Sequence, residues 1–130
     1  MCGTMKKDEV RYEVRYLVVV GGVGHNGALS LLSSCEYIDF PSQDWKKCKD
    51  LPEPLEGGQL VNDPETGDLL LLGGSNGNQD RNTIYRLSNI NGDWVSQNQV
   101  MKAGRRRFSA IVVPDDVINC DKSMNKHDEL

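Results

Sequence analysis

The residues of this chain that could do chemistry lie in short polar stretches and do not form catalytic clusters. Two stretches are glycine-rich and well supplied with hydrogen-bonding side chains: Val23-Gly24-His25-Asn26-Gly27 and Ser75-Asn76-Gly77-Asn78-Gln79-Asp80-Arg81. A third, Lys102 to Arg107, ends in Arg105-Arg106-Arg107. Planar guanidinium groups can grip an acidic partner bidentately. The candidate binding residues are therefore His25, Asn26, Ser75, Asn76, Asn78, Arg81, Arg105 and Arg106. The plainer alternative is that these stretches are ordinary solvated turns.

Catalysis finds little support. There is no nucleophile elbow, no P-loop and no HExxH helix. The carboxylates show no pairing that would drive their pKa values apart. The expectation is a protein that is not an enzyme, with no catalytic residue, no metal and no cofactor. Four cysteines (Cys2, Cys35, Cys48, Cys120) form no CxxC and no metal-ligand spacing with His25 or His127. They read as free thiols in a reducing compartment. If the chain turns about Pro41-Ser42, Cys35 and Cys48 face each other on paired strands, and Glu36 and Lys47 form a cross-strand charge pair. Such cysteines would be either two packed thiols or a reduced pair able to oxidise under stress.

Composition narrows the partners. The 130 residues carry a net charge of −4, so the chain lacks the basic footprint of a nucleic-acid binder. The first apolar run, Tyr16 to Val20, is too short for a signal-peptide core, and no run approaches the roughly 20 apolar residues of a membrane span. The expected partner is another protein, with no nucleic acid and no membrane. The expected compartment is the cytoplasm. His127-Asp128-Glu129-Leu130 also matches an endoplasmic-reticulum retention address, which only a lumenal protein could use.

The elements that must position these stretches show themselves through repetition. Tyr16-Leu17-Val18-Val19-Val20-Gly21-Gly22 recurs as Asp68-Leu69-Leu70-Leu71-Leu72-Gly73-Gly74, and Asp44-Trp45 recurs as Asp93-Trp94. Both markers repeat at a period of about 50, the length of one four-stranded blade of the Kelch kind. Short apolar runs bounded by glycine suit buried strands. Further strands are expected at Ser34–Phe40, Trp45–Cys48, Gly58–Asn62, Asn82–Ser88, Asp93–Gln97 and Phe108–Val113. Phe40-Pro41-Ser42-Gln43, Pro64-Glu65-Thr66-Gly67 and Ser88–Gly92 carry turn chemistry. No stretch has a helical stripe, so the expected fold class is all-β, built of antiparallel four-stranded sheets.

These residues resemble the Kelch repeat family: an apolar strand ending in Gly-Gly, a strand containing Tyr, a turn, and a Trp opening the outer strand. Gly21, Gly22, Tyr37 and Trp45 match in one unit, and Gly73, Gly74, Tyr85 and Trp94 in the next. The Tyr-to-Trp gaps differ by one, which calls for an insertion in the second turn. The segment from Gly104 to Val113 looks like the Arg-then-apolar opening of a third repeat, which suggests a structural role for Arg107. The resemblance divides the chain into an N-terminal extension (1–15), a first unit (16–56) lacking a clear opening strand, a second unit (57–104), the start of a third (105–120) and a polar tail (121–130).

What the resemblance implies is an incomplete Kelch-type β-propeller, a ring of roughly 4–8 blades when closed. Its glycines, tryptophans and tyrosines would be structural, with the Trp rings packed between adjacent blades. The implied function is a non-catalytic protein-interaction module, either recognising substrates for a ubiquitin ligase or binding the cytoskeleton. The alternatives are a fragment of a propeller enzyme and a truncated product with no independent function. Two units leave open faces and unpaired edges. Such a chain would be part of a longer product, would self-associate through open blade edges and assemble with copies of itself into a ring, or would stand as a small open array.

Overall fold

The computed structural model describes residues 1–6, 15–25, 29–39 and 43–113. These residues contain ten strands and no helix: β1 (Cys2–Lys6), β2 (Arg15–Val20), β3 (Val23–His25), β4 (Leu29–Leu31), β5 (Cys35–Asp39), β6 (Trp45–Cys48), β7 (Gln59–Asn62), β8 (Leu69–Leu72), β9 (Ile84–Leu87) and β10 (Val95–Ser96). They form two four-stranded antiparallel sheets, β1-β2-β5-β6 and β7-β8-β9-β10, and a small hairpin, β3-β4. The all-β, antiparallel expectation holds. Among the described residues no helix is long and apolar enough to cross a membrane.

The two large sheets are built alike, down to the hydrogen bonds that close their strand ends. Gly21 and Gly73 have φ of 64° and 60°, and Gly22 and Gly74 both have φ of 100°. This is the left-handed region that side chains rarely enter. Space is short there as well as torsion: a Cβ on Gly21 would lie 2.5 Å from the Leu55 carbonyl oxygen, and one on Gly73 would lie 2.7 Å from that of Arg105. Gly22 N donates to Leu55 O at 2.7 Å, as Gly74 N does to Arg105 O at 2.9 Å. Gly21 N donates to Ser34 O and Gly73 N to Thr83 O; Leu51 N donates to Ser33 O and Met101 N to Asn82 O. Each glycine pair thus turns the chain out of the sheet and ties it to the segment that follows the outer strand.

The sheets pack face to face. Side chains alternate across a strand, and burial follows that alternation with opposite phase in the two units. In the first, Val18, Val20 and Cys35 are buried; in the second, Leu69, Leu71, Tyr85 and Leu87 are. All belong to one apolar cluster with Met5, Leu51, Leu55, Ile90 and Trp94. β1 meets β7 and β8 at Gly3, where a Cβ would stand 3.1 Å from Leu60 Cβ and from Leu69 Cδ2. Asn62 Nδ2 donates across the junction to Thr4 O at 2.8 Å.

Several expectations need correcting. The first unit has an opening strand: Cys2–Lys6, placed in an extension by the sequence reading, pairs along β2 from Cys2↔Val19 to Lys6↔Arg15. It was hidden because Cys-Gly-Thr-Met-Lys carries almost no apolar pattern. The stretch after the first glycine pair is not a simple turn, since Val23–His25 pairs with Leu29–Leu31. Residues 108–113 form no strand; the described chain offers them no neighbour to pair with. Tyr37 and Tyr85 are not equivalents. Tyr37 lies opposite Val18, whereas Tyr85 lies opposite Leu71, the counterpart of Val19. No turn insertion is involved: a one-residue offset puts the rings on opposite faces of their sheets.

The cysteines also differ from expectation. Cys35 and Cys48 face each other across β5 and β6, with Glu36 opposite Lys47, as the turn count gives. They are joined in a disulfide and are not free thiols. Cys2 is free and exposed. Cys120 and the C-terminal tetrapeptide lie outside the described residues.

Candidate interaction surface

The polar stretch after the second glycine pair folds back on itself. Ser75 is buried, and its backbone bridges Glu56 in both directions, with Glu56 N donating to Ser75 O at 3.0 Å and Ser75 N to Glu56 O at 2.8 Å. Its hydroxyl accepts from Gly77 N at 3.1 Å. Asn76 Oδ1 accepts from Asn78 N at 3.0 Å and Gln79 N at 2.9 Å, a side-chain imitation of a backbone turn. Ser75 and Asn76 therefore shape the loop, while Asn78 stays exposed at its tip.

Beneath the loop lies a residue that the sequence reading passed over. Glu53, in Leu51-Pro52-Glu53-Pro54-Leu55, gathers three partners. Tyr85 Oη donates to Glu53 Oε2 at 2.5 Å, Asn76 Nδ2 donates to Oε1 at 3.4 Å, and Arg81 Nε stands 3.1 Å from Oε1. The last is an ion contact outside hydrogen-bond alignment. Burial, and secondarily the bond to Glu53, push the Tyr85 hydroxyl up to about 12. A hydroxyl that donates to a carboxylate in a dry place holds its proton. Arg81 is thus a strut of the junction and not a free binding group. The two prolines flanking Glu53 were the available signal, since they stiffen the segment that carries it.

The arginine cluster splits in the same way. Arg106 lies between Glu56 (Nη1 to Oε1, 3.6 Å) and Asp80 (Nε to Oδ1, 3.4 Å). Arg107 has φ of 53°, and its amide donates to Gly57 O at 2.7 Å. Arg105 closes the glycine pair through its carbonyl, while its exposed guanidinium stands 6.0 Å over the Phe108 ring. Of the predicted residues here, Asn78, Arg105 and Arg106 are exposed, and Arg106 is already paired to Glu56 and Asp80. His25 lies at the end of β3, and Asn26 lies outside the described residues.

The small hairpin reaches this loop: a Cβ on Gly77 would meet Leu31 Cδ1 at 3.2 Å. The segments after both glycine pairs and the arginine stretch thereby gather at one end of the two sheets. That end presents polar loop residues beside the exposed Val23 and Leu29 of the hairpin.

No family model matches the chain, and comparison with curated proteins gives no match either.

Proposed function

We propose that the two units are successive blades of an incomplete Kelch-type β-propeller and that the chain is a non-catalytic protein-interaction module. One observation supports this most: two glycine pairs, about 50 residues apart, turn the chain out of equivalent sheets through equivalent hydrogen bonds. Polar loops then leave both sheets at one end. Binding residues concentrate on loops held by such a scaffold. Asn78 and Arg105 are the residues proposed to meet the partner, with Arg105 free to take an acidic group. Recognition for a ubiquitin ligase or attachment to the cytoskeleton are the proposed settings.

The test is affinity purification with the wild-type chain and with an Asn78→Ala/Arg105→Glu double variant. Any protein recovered is then re-bound as a purified component. Loss of a saturable interaction in the variant, with unchanged circular dichroism, is the expected result. A partner held equally by both forms would remove the loops from the binding surface.

A further inference from the structure

We propose that the open face of the first sheet is a docking site for the second sheet of another copy of this chain. The contact between molecules would repeat the face-to-face junction that joins the two units within one. The proposal rests on reading the units as successive blades, and its test is separate from that of the loops.

In the second unit, Leu69 lies opposite Leu87, and continuing the Arg86↔Val95 register by one residue sets Trp94 opposite Leu87. This row is buried against the first unit, with Trp94 4% exposed. The equivalent row in the first unit is Leu17, Ile38 and Trp45. Here no described element covers it, and Trp45 is 52% exposed. The row is an apolar strip, Trp45 exposed beside the half-buried Leu17 and Ile38, on a face that also carries the Glu36–Lys47 pair where the second unit has Tyr85 and Ser96.

The complementary surface exists on the same chain. The first unit covers Leu69, Leu87 and Trp94 with the face bearing Val18, Val20 and Cys35. The second unit's equivalents are the apolar, half-buried Leu70, Leu72 and Ile84, with Arg86, paired to Asp63 and Asp68, at the place of Tyr37. Even the tightest contact has a counterpart. Within the molecule, Gly3 meets Leu60. Between molecules, the same positions are held by Val61, opposite Leu70 as Gly3 is opposite Val18, and by Cys2, opposite Val19 as Leu60 is opposite Leu71. A glycine–leucine pair becomes a valine–cysteine pair of similar summed size. Such an association is head-to-tail, so it closes into a ring or extends according to its rotation.

The full chain should show a mass by light scattering that at least doubles from low to high micromolar concentration, with Trp45 emission moving to the blue. Trp94, already buried, gives a constant background. Trp45→Glu should stay at monomer mass with unchanged circular dichroism. Val61→Cys, oxidised with glutathione disulfide, should form intermolecular links to Cys2 that Cys2→Ser abolishes. The proposal falls if the wild type stays monomeric with solvent-exposed Trp45 emission, or if Trp45→Glu associates as the wild type does. It also falls if the introduced thiols at 61 link only to each other, the pattern of a symmetric or edge-to-edge contact. A monomer that still binds a partner through Asn78 and Arg105 would overturn this proposal and leave the interaction reading standing.

Discussion

Trp45 and Trp94 stand at the same place in two sheets of the same design, yet one is half in solvent and the other is buried. Nothing local separates them. Each follows an aspartate, and each lies opposite an apolar residue of its neighbouring strand (Ile38 or Leu87). The difference is the neighbour: the first unit covers the second unit's tryptophan, and no described element covers the first unit's. Where two sheets pack face to face, burial belongs to the junction between them and not to either sheet alone.

Substitution should expose that difference most strongly. Trp94→Ala removes a ring from the shared core and should cost about 3–5 kcal/mol, the range for truncating a buried aromatic. Trp45→Ala, measured at low concentration where the chain is alone, should cost under about 1 kcal/mol. Urea unfolding followed by circular dichroism gives both values. Equal costs would mean that Trp45 is covered in the folded monomer and that the two environments are not as different as the structure makes them.

The Cys35–Cys48 bridge is a second asymmetry. The second unit has Ile84 and Gln97 at the corresponding places, joined by a backbone bond from Gln97 N to Ile84 O at 2.8 Å. The bridge spans 13 residues of sequence. Constraining the unfolded chain over a loop of that size is worth about 3 kcal/mol. A Cys35→Ser/Cys48→Ser chain should lose about that much, and reductant should destabilise the wild type to the same extent while leaving the variant untouched. A wild type indifferent to reductant would return these residues to a packed thiol pair.

Much of this arrangement was legible in the residues. The period of about 50 and the strand Trp45–Cys48 follow from glycine pairs, tryptophans and turn chemistry, which act locally. The cysteine register follows from counting outward from one turn. What was not legible depends on partners distant in sequence. Cys2–Lys6 is a strand because β2 offers it an edge, not because its own residues alternate. Arg81 and Arg106 look like free cations until the fold brings Glu53, Glu56 and Asp80 beside them. The one-residue offset between the tyrosines sits inside strands, where composition does not show which face a residue takes.

The Tyr85–Glu53 contact joins the linker after the first sheet to the face of the second. Tyr85→Phe should cost about 1.5–3 kcal/mol, since it removes a hydrogen bond to a charged acceptor and leaves Glu53 to Asn76 and Arg81. The pH dependence has a definite sign. Folding raises the hydroxyl's pKa, so its contribution is complete below about 10, the ordinary tyrosine value, and is lost as the pH rises through about 12. Phenolate absorbance should therefore show one of the four tyrosines ionising well after an ordinary tyrosine. In the Phe variant the alkaline loss of stability over that window should be smaller. A single tyrosine transition near 10 would mean that the hydroxyl is not held.

The smallest effect sits on the second unit's other face. Arg86 there donates to Asp63 at 2.9 Å, Asp68 at 2.8 Å and Gln97 at 3.1 Å. The Glu65 amide, and after it Arg86, hold the Asp63 carboxyl below the usual aspartate range. A depressed carboxyl contributes its stability above the ordinary aspartate value and loses it as the pH falls through the folded one. Asp63→Asn should therefore lower stability slightly at neutral pH and flatten the acid limb of the pH–stability curve, and added salt should narrow the gap to wild type because the group is only partly shielded from solvent. The first unit has Tyr37 where Arg86 stands, and Tyr37 packs edge-on to Tyr16 with ring centres 5.0 Å apart. Truncating Tyr37 should accordingly be insensitive to salt. The two faces differ for the same reason as the tryptophans: Tyr37 lies on the covered side of its sheet, while Arg86 lies on the open side and ties its charge to its own strands.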